Sequence, residues 1–340
     1  MSHSKFARGP LCLLLLLVAG PAAAWHLARE VGIPGDGGWD YLTFDAAANR
    51  VFVSHGIRVE VIDARKLTII GAIDGTPGVH GIALAQDLGR GFVSAGASGS
   101  VVVFDLKTLT RLTEIRTTGE NPDAILYEPS TRRVFTFNGR GRNVTVIDAT
   151  SNQVLGTIDV DAKPEFAVTD GAGHIFVNLE DRNSLAEIDA AGMKILRTWP
   201  LEGCEEPSGL AFDLAHHRLF SVCGNRVMVV SDSGDGHQVA RLPIGEGADG
   251  AGFDPQKALA FASCGDGTLT VVHELKPGKF AVKENVATRK GARTMTLDPA
   301  THRVFLTTAQ RGPAPAPTAE NPRPRAPVIP GTFTLLMVQP

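Results

Sequence analysis

Asp40-Tyr41-Leu42-Thr43-Phe44-Asp45, then Val51-Phe52-Val53-Ser54, then Val59-Glu60-Val61-Ile62-Asp63 form the unit whose reading decides the fold. Each run is short, rich in β-branched and aromatic residues, and bounded by turn-formers, as buried strands require. The acidic residue ending a run can accept a bond from the backbone two residues on and so open a turn. No segment of helical period and adequate length competes with this strand pattern.

The unit recurs along the whole chain. Its first strand reappears at 80–85, 123–128, 165–170, 208–213, 249–254 and 293–298. The final positions 45, 85, 128, 170, 213, 254 and 298 are separated by steps of 40, 43, 42, 43, 41 and 44 residues. The second strands carry Phe52, Phe92, Phe135, Phe176, Phe220, Phe261 and Phe305 at one position. Periods of about 40 to 45 residues mark propeller blades, and here they override a length that would otherwise suggest two domains.

Fourth strands follow six of the units, around 68–73, 111–116, 154–158, 194–199, 238–242 and 280–285. The seventh unit stops after its third strand, Thr332–Val338, whereas His26–Ile33 is an outer-strand pattern with no unit before it. Pairing the two ends closes the ring and leaves only short, protected edges. The expectation is an all-β, seven-bladed β-propeller of four-stranded blades, a single domain over 25–340, with the N-terminal strand completing the C-terminal blade.

The repeats resemble the YVTN-repeat, YncE-like family of seven-bladed propellers. Its signature tetrapeptide stands here in degenerate form as Phe52-Val53-Ser54-His55, Phe92-Val93-Ser94-Ala95 and Phe135-Thr136-Phe137-Asn138. The Val-x-Val-Ile-Asp third strand is matched more closely, by Val59–Asp63 and Val144–Asp148. The resemblance covers nearly all of 25–340 and implies a fold; its motifs are core and turn residues that imply no activity. Trp39-Asp40 is the single Trp-Asp dipeptide and lies on a first strand, so the chain is not read as a WD-repeat propeller.

Residues 1–24 read as a signal peptide, with Lys5 and Arg8 in a positive n-region, an apolar core from Leu11 to Ala19 and Ala22-Ala23-Ala24 before the cleavage point. That apolar run falls well short of the ~20 residues of a spanning helix. Export implies a periplasmic or secreted location, a mature protein with no membrane span and, as expected here, a monomer. The formal net charge of −3 offers no electrostatic footprint for nucleic acid.

In propellers of this kind, the loops into the first strands and after the second strands open on one face around the channel mouth. The first residues of the aligned first strands form a ring there: Asp40, His80, Asp123, Glu165, Ser208, Asp249 and Arg293. Residues ending the second strands add His55 and Asn138, and Trp39 precedes the ring. Trp39, Asp40, His55, His80, Asp123, Asn138, Glu165, Asp249 and Arg293 are therefore the candidate ligand-binding residues. Asp40, His80, Asp123 and Glu165 are the set suited to a divalent metal, the one cofactor these residue types suggest. A carboxylate or histidine could equally serve as a general base. Against both stands the plain alternative of a solvated polar rim.

Of the cysteines beyond the leader, Cys204 lies in the loop entering blade five and Cys223 ends that blade's second strand, on the same face. Cys223 and Cys264 occupy matching positions on adjacent blades, beyond the ~7 Å Cα limit of a bridge. A Cys204–Cys223 disulfide with Cys264 free is expected. The Pro-rich segment Gly312–Pro330 interrupts blade seven between its second and third strands and reads as extended chain on the ring face, either a linker or disordered flap or a lid or partner-docking loop. Gly96–Ser100 lacks the order of a nucleophile elbow, Asp232–Gly236 is too short for an EF-hand loop, and no haem-attachment motif occurs.

These readings lead to an exported binding scaffold that presents its channel mouth to a small ligand or a protein partner. The alternative is a metal-assisted hydrolase or lyase, by analogy with seven-bladed lactonases and streptogramin lyases. Of the lactonase ligand pattern of Glu, Asn and Asp, only Asn138 supplies an asparagine near the rim. A third class, an electron-transfer subunit like the propeller chain of amine dehydrogenases, finds no cofactor in the sequence.

Overall fold

The computed structural model describes residue 1, residues 24–318, residue 324 and residues 326–340. The leader reading falls on 1–24, of which 2–23 lie outside the described residues. The described chain folds into seven antiparallel sheets of four strands each, one per repeat. Two short 3-10 turns, Gln86–Leu88 and Glu180–Arg182, are its only helices among those residues.

Each blade runs outward in chain order from its first strand. First strands of neighbouring blades touch one another around the ring, which makes them the channel wall. Blade seven is the exception in connectivity. Its order is Met295–Asp298, Arg303–Thr308, Thr334–Gln339 and then His26–Gly32. The closing strand pairs antiparallel, with His26 opposite Gln339 and Gly32 opposite Thr334. Ring closure by the chain's own N-terminal strand stands as the sequence predicted.

The repeat positions are the packing positions. All seven second-strand phenylalanines are 3% exposed or less. Truncating any one to alanine costs about 3–5 kcal/mol. The Asp that ends a third strand does the turn chemistry expected of it. Asp63 accepts from the Arg65 and Lys66 amides at 2.9 and 2.8 Å, and Asp105 and Asp148 repeat the geometry.

Cys204 and Cys223 are disulfide-bonded with Cα atoms 5.5 Å apart, and Cys264 is a free buried thiol. No helix among the described residues is long and apolar enough to cross a membrane.

Candidate functional site

The ring residues owe their position to a recurring defect. In blades two to six the first strand breaks register with the second as it leaves the channel mouth. The breaks fall between Val79 and Ile82, Pro122 and Ile125, Pro164 and Ala167, Pro207 and Leu210, and Ala248 and Gly250. His80, Asp123, Glu165, Ser208 and Asp249 occupy these bulges, and a bulge re-aims a side chain that the pleat would otherwise fix.

The bulges are pinned by small polar residues of the second strands. Ser94 Oγ accepts from the Gly81 amide at 2.8 Å and donates to the Asp123 carbonyl of the next blade. Asn178 donates to the Ser208 carbonyl at 3.0 Å, and Ser263 to the Arg293 carbonyl at 2.6 Å. Thr294 closes the circle on the Asp40 carbonyl at 2.6 Å. At Gly209 and Gly250 a Cβ would lie 2.7 Å from the Asp249 carbonyl and 2.9 Å from the Met295 amide nitrogen, respectively. Neighbouring first strands approach this closely only because no side chain intervenes.

Three ring residues from consecutive blades converge. His80 Nδ1 lies 2.6 Å from Asp40 Oδ2 and 3.5 Å from Asp123 Oδ1. One donor atom from each residue falls within 4.8 Å of the other two. Asp123 Oδ1 is shielded from solvent and has no hydrogen-bond partner. Burial, with the Asp40 charge adding to it, pushes the Asp123 carboxyl up to about 7 against the opposing pull of His80.

Glu165 joins a different group. Lys163 Nζ lies 2.7 Å from Glu165 Oε1 and also contacts Glu180. Burial first, then a shared proton with Glu180 and the Asp123 charge, push Glu165 up to about 9. Asp249 pairs with Arg293 at 2.7 Å; burial raises its carboxyl while the guanidinium opposes, and Asp249 in turn holds Arg293 in its charged form. The mouth thus holds three ionic groups around one opening. Cation sites differ: Asp40, His80 and Asp123 come together, and Glu165 is engaged elsewhere.

Three of the nine candidates lie outside this cluster. Trp39 is buried against Phe333 with ring centroids 5.6 Å apart, and His55 stacks on the same ring at 4.2 Å. Burial, then the Arg58 charge, lowers the His55 pKa and keeps its imidazole neutral. Asn138 is fully buried and donates to Asn143 Oδ1 and Thr145 Oγ1 at 2.8 and 2.9 Å. Residues that end the second strands are packed between blades; residues in the first-strand bulges face the mouth.

Sequence reading missed Lys163, Glu180 and above all Tyr41. Tyr41 reaches across the channel from blade one and meets Phe166 of blade four, centroids 5.3 Å apart. Burial and then the charges of Asp123, Glu165 and Asp40 raise its pKa well above the usual value. The signal was present. At the second position of the aligned first strands stand Tyr41, Gly81, Ala124, Phe166, Gly209, Gly250 and Thr294, two aromatics among small residues.

A second carboxylate–imidazole group, Asp232, Asp235 and His237, lies in an outer turn of blade five. Its members are engaged with Arg218, with each other and with turn amides.

No protein-family model matches the chain, and no curated protein matches its sequence. Among solved structures, a chain of Kuenenia stuttgartiensis hydrazine synthase superposes with a TM-score of 0.69 at 16% identity, covering 81% of this chain and 94% of that one. The likeness is one of fold. It places this chain beside another propeller and carries no chemistry across.

Proposed function

We propose that the chain is an exported propeller of the YVTN-repeat, YncE-like kind that binds a small ligand at its channel mouth. One observation carries the reading: the Asp123 carboxylate oxygen is buried without a hydrogen-bond partner, facing Asp40 and His80. A buried carboxylate oxygen that accepts no hydrogen bond and has only the His80 imidazole at 3.5 Å is costly and calls for a compensating group. Two carboxylates and an imidazole are a donor set suited to a divalent cation. The Cys204–Cys223 bridge supports a periplasmic or secreted location, because disulfides persist in oxidising compartments.

A cation held there would take carboxylate oxygens of Asp40 and Asp123 and a ring nitrogen of His80 as its protein ligands, in place of the contact His80 Nδ1 now makes with Asp40. The first test is metal analysis of the mature protein after dialysis against calcium, magnesium, zinc or manganese. Retention of one ion per chain, lost in Asp123→Asn, supports the site. Absence of all four ions from the wild type overturns it.

The proton inventory favours a second reading, a metal-assisted hydrolase or lyase. Glu165, pushed up to about 9 by burial, Glu180 and the Asp123 charge, is an acid at neutral pH, and a cation held by Asp40, His80 and Asp123 would supply a Lewis acid. A proton donor beside a Lewis acid is what such chemistry needs. Lactone hydrolysis that depends on the added cation and is lost in both Asp123→Asn and Glu165→Gln would favour it; cation binding without turnover would leave the binding role.

A further inference from the structure

Beyond the ionic mouth, the first strands turn a second and different surface to the channel. They begin at the mouth and run toward the opposite face, and their later residues wall a vestibule of about 700 Å3. Six blades contribute to it. Leu42, Ile82, Ile125, Phe166, Ala251 and Leu297 come from blades one, two, three, four, six and seven. Walls drawn from so many blades make a concave site rather than a flat patch.

The lining is uncharged: among the described residues it includes no Asp, Glu, Lys, Arg or His. Its four polar side chains are already bonded to the protein. Thr43 donates to the Ile82 carbonyl at 2.7 Å, and Thr296 accepts from the Phe44 amide at 3.1 Å. Gln86 donates to Asp45 at 2.9 Å and Tyr127 to Asp87 at 3.0 Å. The surface left over is aliphatic and aromatic carbon. Phe44, Leu84, Leu126, Phe166 and Leu297 are only half-buried, so part of that carbon is uncovered. Gly252 makes room on the blade-six side, where a Cβ would lie 2.6 Å from the Met295 methyl. Met295 itself is a thioether that adapts its shape to a neighbour.

We propose that this vestibule is a second ligand site, taking an uncharged, largely apolar small molecule. Its volume falls within the range of small-molecule pockets. The uncharged lining selects the ligand class, because an ionic group would lose hydration there and find no charged partner on these walls. Covering the open carbon supplies the driving force, so the affinity does not fall with salt as that of an ionic site does. The walls share no residue with the Asp40, His80 and Asp123 cluster, and the proposal is independent of a cation there.

The test is a fluorescence titration of the protein with Nile red, an uncharged polycyclic dye whose emission rises in apolar surroundings. The dye binds at one site per chain, with an affinity unchanged by sodium chloride or by divalent cation. Leu126→Asp sets a carboxylate on the wall and weakens binding tenfold or more, about 1.4 kcal/mol. Ala251→Leu fills the space without charge and weakens it severalfold. Leu275→Asp, at an exposed leucine on the outer hairpin of blade six, leaves it unchanged. Each variant is first shown to melt as the wild type does, and if Leu126→Asp does not fold, Ala251→Leu decides. Absence of saturable binding, equal affinity in the wild type and the vestibule variants, or a loss in Leu275→Asp as large as theirs overturns the proposal.

Discussion

Tyr41 and Phe166 meet ring to ring at 5.3 Å across the channel, from blades three positions apart in the ring. Their contact divides the channel. On one side lies the ionic mouth. On the other, Leu42, Ile82, Ile125 and Leu297 wall an apolar vestibule of about 700 Å3. Tyr41→Ala should cost about 3 kcal/mol by loss of packing, and Tyr41→Phe less than about 1.5 kcal/mol because it conserves the shape. Urea unfolding of both variants measures the difference.

Ring closure is expected to be essential to the fold. A chain beginning after Ile33 lacks the strand that pairs with Thr334–Gln339 and exposes a new edge. It should aggregate or melt far below the full mature protein. Light scattering and melting curves on the two chains decide this, and an unchanged, monodisperse truncation would mean the closing strand is dispensable.

The disulfide should stabilise the native state by about 3 kcal/mol through loop closure. Cys204→Ala is expected to lose that amount, measured by denaturant unfolding under oxidising conditions. Non-reducing peptide maps should show Cys204 joined to Cys223 and Cys264 as a free thiol.

The fold was legible because the residues that repeat are the residues that pack. Phe52 and its six counterparts are buried in every blade, and Asp63, Asp105 and Asp148 open the same turn. The ring was legible in part, because alignment of first strands located the bulge positions without revealing the bulges. His55 and Asn138 escaped that logic. Both end a strand near the mouth, but blades pack on both faces, so a strand-end side chain turns into the interior unless a bulge re-aims it. Lys163 and Glu180 were hidden for another reason. They lie outside the aligned strands and reach Glu165 only through the fold.

Asp123 makes stability depend on pH in a definite direction. Its carboxyl is raised from the ordinary 3.8 to about 7, so the folded chain holds this proton more tightly than the unfolded chain does. The stabilising contribution is complete below about pH 4 and is lost as pH rises through about 7; Glu165 acts in the same direction up to about pH 9. At pH 8 without added metal, Asp123→Asn should therefore be more stable than the wild type, by roughly 1–3 kcal/mol. The two should draw level near pH 4. Urea unfolding at the two pH values checks the sign.

A cation site formed by Asp40, His80 and Asp123 at the channel mouth is tested by the melting temperature measured against divalent cation concentration. At pH 8, a hundredfold excess of the correct ion over its dissociation constant should stabilise the wild type by about 2.7 kcal/mol. The gain should vanish in Asp123→Asn. It should also weaken as pH falls below about 7, the point at which protons compete for Asp123. If calcium, magnesium, zinc and manganese all leave the melting temperature unmoved, or move Asp123→Asn as much as the wild type, the claim is wrong.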